Sequence, residues 1–341
     1  MNKLQENNEE SETIGDCLTG DKVRVAMECL TPIVHRTPLL TSTTTNELLE
    51  KNVYFKMENQ QKTGAFKFRG ASFKLMQLTD AQLKNGVITA SAGNHAQGVA
   101  HAAAKLGARA TIFMPEKTPL AKVHATRNYG ADVVLTGESF QEASEASMKR
   151  QLQTGATYIH PFDDYDVMAG QGTIAMEMLH QEARLDTIIV PVGGGGLISG
   201  TSIAAKHVNP NIKVIGVQAS GASAMHDSFH STSTRNLKSV STIAEGIAVK
   251  QPGKNTLPLI RQYVDDIITV TDEEIASAIV YMLERNKTLM EGAGAAALGA
   301  LFAHHKQIDS RHCGIIVSGG NMDIGNLPKI QRLAEKLHHS A

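Results

Sequence analysis

Between about residue 50 and residue 320 the chain alternates two patterns. Short runs of consecutive apolar, mostly β-branched residues recur at Val53-Tyr-Phe, Val87-Ile-Thr, Ala110-Thr-Ile-Phe-Met, Asp132-Val-Val-Leu, Thr187-Ile-Ile-Val, Val214-Ile-Gly-Val, Ile267-Ile-Thr-Val and Gly314-Ile-Ile-Val. Alanine-rich stretches with helical spacing lie between them. A strand with one wet face alternates apolar and polar residues, whereas one covered on both faces is apolar throughout. The runs therefore predict an α/β protein of parallel sheets covered by helices. Upstream, a periodic segment from Lys22 predicts a short helix, and Pro32 to Pro38 forces an extended connection. Residues 1 to about 20, polar and acidic, read as a tail.

Three predicted strands run directly into glycine-bearing loops: Ser91-Ala-Gly-Asn-His95, Gly193 to Gly196, and Ser318-Gly-Gly-Asn321. Ligands of open parallel sheets bind at the carboxyl ends of strands, so these loops are expected to converge on one cleft between two sheets.

The tetraglycine is the sharpest local signal. Four residues without side chains let the backbone aim several N–H groups at one anion, and the helix that follows adds its positive end. A dinucleotide fingerprint needs its last glycine where Ile198 or Ser199 stands, and a Walker A loop needs a Gly-Lys-Ser/Thr that is absent. The loop thus suits a small ligand bearing one phosphate. The second signal is Lys67, set between Phe66 and Phe68 in Thr-Gly-Ala-Phe-Lys-Phe-Arg-Gly. Such a lysine is ordinarily a surface residue of a half-buried helix. A desolvated amine of lowered pKa is also the condition for Schiff-base chemistry, and with a phosphate cradle it meets the two requirements of a pyridoxal phosphate enzyme.

Composition narrows the class further. At 341 residues, and roughly 150 per domain, two domains are expected. The formal charge of −1 offers no basic surface for nucleic acid or an anionic membrane. No apolar run of about 18 residues could span a bilayer, and the first residues lack signal-peptide character, so a cytoplasmic location is expected. Cys17, Cys29 and Cys313 are scattered, which supports neither a disulfide framework nor a metal site.

Seven segments in order carry a family resemblance: the Lys67 segment 63–70, Ser-Ala-Gly-Asn-His-Ala-Gln-Gly (91–98), His-Pro-Phe-Asp-Asp (160–164), Ala-Gly-Gln-Gly-Thr (169–173), Gly-Gly-Gly-Gly-Leu (193–197), Glu-Gly-Ala-Gly-Ala (291–295) and Ser-Gly-Gly-Asn (318–321). Over about residues 20 to 335 the chain resembles the serine/threonine dehydratases, fold-type II pyridoxal phosphate enzymes related to the tryptophan synthase β fold. The resemblance implies two open twisted parallel-sheet domains with the active site between them. It implies pyridoxal 5'-phosphate as cofactor and elimination from L-threonine, giving 2-oxobutanoate and ammonia, or from L-serine, giving pyruvate.

The same resemblance assigns roles. Lys67 would hold the cofactor through its amine and act as the base at Cα. Phe66 would pack on the pyridine ring, Asn94 would bind its 3′ oxygen, and Gly193, Gly194, Gly195, Gly196 and Leu197 would hold the phosphate. Ser318 would face the ring nitrogen, and Ser91, Asn94 and His95 would receive the substrate carboxylate. Serine racemases are the rival within the family; they place a serine where this chain has Ala92, and acidic metal ligands where it has Gln218 and Ala224. A non-catalytic amino-acid or nucleotide sensor is the alternative of a different kind. The chain is similar to the short, catabolic type, some members of which take AMP as an effector at a dimer interface; the positions matching theirs include Lys62, Thr63, Gln97, Asn128 and Asn321. The expected division is a large unit, 1–78 plus 164–341, and an inserted small unit, 79–163, with no C-terminal regulatory domain. A homodimer or homotetramer is expected.

Overall fold

The computed structural model describes residues 17–339. Most of the expected tail, residues 1–16, lies outside them; Leu18 is already buried, and Thr19 caps the helix Gly20–Leu30 by accepting from the Lys22 N–H at 3.1 Å.

Ten strands form two sheets: β1 (Leu39–Thr41), β2 (Asn52–Lys56), β3 (Val87–Ala90), β4 (Ala110–Met114), β5 (Asp132–Leu135), β6 (Thr157–Tyr158), β7 (Thr187–Pro191), β8 (Lys213–Ala219), β9 (Asp266–Val270) and β10 (His312–Ile316). The larger sheet has the order β1-β2-β10-β7-β8-β9 and the smaller β5-β4-β3-β6. Among the described strands every pairing is parallel except β1 with β2, as the expected parallel-sheet class requires, with one antiparallel strand added at an edge. β1 has only three residues and is largely exposed, so a short antiparallel edge strand suffices there.

The unbroken apolar runs have the predicted cause. Along β7, Ile188 and Val190 enter one core while Ile189 enters another on the opposite face. The second core lies under the helices Asp272–Asn286 and Gly292–His304. Fully burying one such side chain contributes about 1.5–3 kcal/mol, which is why these positions admit no polar residue.

Two glycine crossings dock the functional helices on a shared partner, Tyr165–Gln181. A Cβ on Gly170 would lie 2.6 Å from the Cα of Gly70, so the helix Lys67–Met76 touches the central helix backbone to backbone. A Cβ on Gly172 would lie 2.7 Å from the carbonyl oxygen of Gly200, in the helix Gly196–Val208. The Lys67 helix and the tetraglycine helix are thus fixed relative to each other through one buried element.

Candidate active site

Sheet order explains how remote segments meet. β10 lies between β2 and β7, so the chain leaving three neighbouring strands supplies the Lys67 segment, Ser318 and the tetraglycine. The Phe66 N–H donates to the Ser318 carbonyl at 3.0 Å, and the Gly320 N–H to the Gly64 carbonyl at 2.9 Å, stitching two of these loops together. From the smaller sheet, β3 delivers Ser91 and the helix Asn94–Lys105. That helix approaches closely at Gly98, where a Cβ would lie 3.2 Å from the Lys67 carbonyl.

Lys67 opens its helix, and its ammonium donates to the Pro161 carbonyl at 2.6 Å. Burial lowers its pKa to about 8, with Glu291 pulling the other way. The Phe66 ring centroid is 5.2 Å from Nζ. This is the depressed amine that the sequence suggested.

The tetraglycine forms a cradle. Gly195 has φ +100°, in the left-handed region, and a Cβ there would lie 2.7 Å from Ile260 Cδ1. A Cβ on Gly196 would lie 2.7 Å from the Phe162 carbonyl oxygen. The Gly194 carbonyl is turned away and accepts from Thr256 Oγ1 at 2.7 Å. Thr256 is in turn fixed by Asp163, whose carboxylate accepts the N–H groups of Lys254, Asn255 and Thr256 at 2.9–3.1 Å. Among the described residues no acceptor meets the N–H groups of Gly193, Gly194, Gly195, Gly196 or Leu197. Five unmet donors at a helix start suit a phosphate dianion.

Ser318 is buried beside this cradle's neighbouring strand. Asn94 donates through Nδ2 to Glu291 Oε1 at 2.6 Å and accepts from Asn321 Nδ2 at 2.9 Å. Burial pushes the Glu291 carboxyl up to about 7. Ser91 Oγ accepts from the Gly93 N–H at 3.3 Å. The His95 ring is engaged away from the helix start: its Nε2 bonds the Ile159 carbonyl at 3.0 Å, and burial followed by the nearby Lys67 lowers its pKa to about 3. The ring is neutral, so only its backbone N–H at the helix start is suited to a carboxylate.

Beneath Lys67 lies a buried charge network that the sequence did not disclose. Arg69 forks onto Glu58 (2.8 and 2.8 Å) and onto Glu177 (2.7 and 3.0 Å), and Lys56 donates to Glu177 at 2.6 Å. Burial raises the Glu58 pKa, but Arg69, Lys56 and the Thr37 hydroxyl together bring it below the usual carboxylate range. Lys67 and Arg69, a basic pair in the sequence, thus part company: one meets the cleft and the other anchors its helix to the central helix. Asp163 and Glu291 both stand in motifs that drew attention, but only their partners reveal what they hold.

Of the residues expected at an effector site, Thr63 and Asn321 are in contact through Asn321 Nδ2 and the Thr63 carbonyl at 2.7 Å. Tyr129, beside the exposed Asn128, donates to the Lys62 carbonyl at 3.4 Å. Gln97 is buried in the helix that Asn94 opens.

Lys67 meets Pro161, and the glycine loop packs on the adjacent Phe162; a desolvated amine and a cluster of backbone N–H donors joined in this way are the two features of a pyridoxal phosphate site. The family model described as "Pyridoxal-phosphate dependent enzyme" matches residues 30–319, and the chain belongs to that family. It is 45% identical over 313 residues to the L-threonine ammonia-lyase of Thermotoga maritima, covering 92% of this chain and 78% of that protein. It is likewise 45% identical to the L-threonine dehydratase catabolic TdcB of Staphylococcus aureus, covering 89% of this chain and 88% of that protein. Among solved structures, maize serine racemase superposes with a TM-score of 0.88 at 38% identity, covering 94% of this chain and 99% of that one.

Proposed function

We propose that this protein deaminates L-threonine to 2-oxobutanoate and ammonia, and L-serine to pyruvate, as a threonine ammonia-lyase of the catabolic type. The observation that carries the reading is the desolvated amine of Lys67, bonded to the Pro161 carbonyl, on the same backbone framework as the five unmet N–H donors at 193–197. Pyridoxal phosphate, when bound, supplies an electron sink that acidifies the Cα–H of an amino acid.

The chain's own groups do the rest. The N–H groups of Gly193 to Leu197 would hold the phosphate, and Phe66 and Ser318 would contact the ring. Ser91 and the first N–H groups of the helix Asn94–Lys105 hold the substrate carboxylate, where the helix dipole favours an anion. Lys67 takes the proton from Cα, an amine near neutrality at cellular pH being suited to both accept and return it. The serine hydroxyl at 318 carries no charge to stabilise a long-lived carbanion, which favours prompt loss of the β-hydroxyl. Units 79–163 and 1–78 plus 164–341 close on the substrate and exclude water.

AMP acts as an effector through Lys62, Thr63, Gln97, Asn128 and Asn321; the bonds joining Asn321 to Thr63 and to Asn94 support a route from that set to the cleft. The protein acts as a homodimer or homotetramer in the cytoplasm; among the described residues no helix is long and apolar enough to cross a membrane. Measuring 2-oxobutanoate and pyruvate from the two substrates side by side, with and without AMP, tests the reading. Absence of both 2-oxo acids, or D-serine as the main product from L-serine, would overturn it.

A further inference from the structure

The Asn94 side chain is held from both ends by residues of other loops. Asn321 Nδ2 donates to the Thr63 carbonyl, which can only accept, and to Asn94 Oδ1. With its oxygen so engaged, Asn94 presents Nδ2 to Glu291 Oε1 at 2.6 Å. The Glu291 carboxyl oxygen on one side and the Asn321 NH2 on the other leave one orientation of the Asn94 amide, with a single Nδ2 hydrogen uncommitted among the described residues. The flanking glycines leave room for this arrangement: a Cβ on Gly246 would lie 3.5 Å from Glu291 Oε1, and one on Gly319 would press against the same oxygen. The Glu291 N–H also donates to the Gly319 carbonyl at 3.1 Å, so the residue is fixed to the loop that carries Ser318.

We propose that Glu291 is a positioning residue for the reaction: its carboxyl fixes the Asn94 amide so that the remaining Nδ2 hydrogen meets the cofactor's ring oxygen. This rests on the reading of Asn94 given above. The bond also crosses between the two sheets, because Asn94 follows β3 of the smaller sheet while Glu291 opens the helix Gly292–His304 packed on the larger. Glu291 therefore holds the Ser91–His95 loop against the part of the molecule that carries Lys67.

The test compares the wild-type holoenzyme with Glu291→Gln and Glu291→Ala by the absorption maximum of the bound cofactor, its dissociation constant, and kcat and KM for L-threonine. A glutamine keeps an oxygen to accept from Asn94, so its absorption band should be unchanged and its cofactor affinity within about twofold of wild type. The alanine variant should shift the band and weaken cofactor binding at least tenfold. Should Glu291→Ala fail to fold, Asn321→Ala, which removes the other holder, should shift the band in the same way. A wild-type band and affinity in Glu291→Ala, or in Asn321→Ala where that variant stands in, would refute the role. So would a glutamine variant as impaired as the alanine one, since a proton or charge would then be the requirement. A wild-type protein lacking any Lys67-dependent band would instead sink the parent reading of the site, and this role with it.

Discussion

Replacing Gly170 by alanine probes the contact that seats the Lys67 helix. The added methyl would lie 2.6 Å from Gly70 Cα, 2.8 Å from the Arg69 carbonyl oxygen and 2.9 Å from Gly70 N, all backbone atoms that no rotamer change can move. Carbon atoms pack at about 3.5–4.0 Å, so the two helices must part by roughly 0.9 Å, which forfeits a quarter to a half of the dispersion well along the seam. The same shift stretches the Arg69 to Glu177 bond, now 2.7 Å, beyond hydrogen-bond range, because the two residues stand on the two helices concerned. Overpacking costs about 1–3 kcal/mol, here at the upper end, and alanine's better helix propensity returns about 1 kcal/mol. The net loss is about 2 kcal/mol, roughly a thirtyfold change in the unfolding constant, together with weaker cofactor binding. Urea unfolding at fixed cofactor concentration reads it as a lower midpoint with unchanged slope. Gly98→Ala is the graded companion: its methyl would lie 3.2 Å from the Lys67 carbonyl, so a smaller loss is expected. A Gly170→Ala protein as stable as wild type would show that the helices do not meet through their backbones.

Two further outcomes follow from the electrostatics. Because burial lowers the Lys67 amine from its usual range to about 8, the neutral, nucleophilic form grows as pH rises through that value. Capture of pyridoxal phosphate by the apoprotein, followed by borohydride trapping, should accelerate about tenfold per pH unit below 8 and level off above it; a rate still climbing at pH 10 would contradict the depressed pKa. Glu58→Gln leaves the buried Arg69 short of one negative charge, and one-sided removal from such a set costs about 3–5 kcal/mol. A denaturation midpoint close to wild type would mean that the network is not as dry as its burial indicates.

What the sequence disclosed, and what it hid, has a common physical origin. β3, β4, β7, β8 and β10 are buried along nearly their whole length, so their runs stand out without knowledge of their neighbours, and β2 and β9 carry shorter runs of the same kind. β5 was visible by its Asp-Val-Val-Leu run even though it lies at an exposed edge. β1 and β6, three and two residues long, are too short to impose a pattern. At the site, Lys67 and the tetraglycine were legible because their chemistry is written in local composition. Nothing local marks Lys56, Glu58 and Glu177; their burial depends on partners up to 125 residues away, which no local window contains. His95 shows the converse case, a residue well placed in its motif whose ring is occupied by the Ile159 carbonyl.

Lys67 is the residue on which threonine deamination by this protein depends most directly. Wild type and Lys67→Ala, each supplied with the cofactor, can be compared for 2-oxobutanoate formation and for a visible band that borohydride removes. Both signals are expected in wild type and neither in Lys67→Ala, with an unchanged far-ultraviolet circular dichroism spectrum. Turnover of threonine by the folded alanine variant at a rate near that of wild type would contradict it.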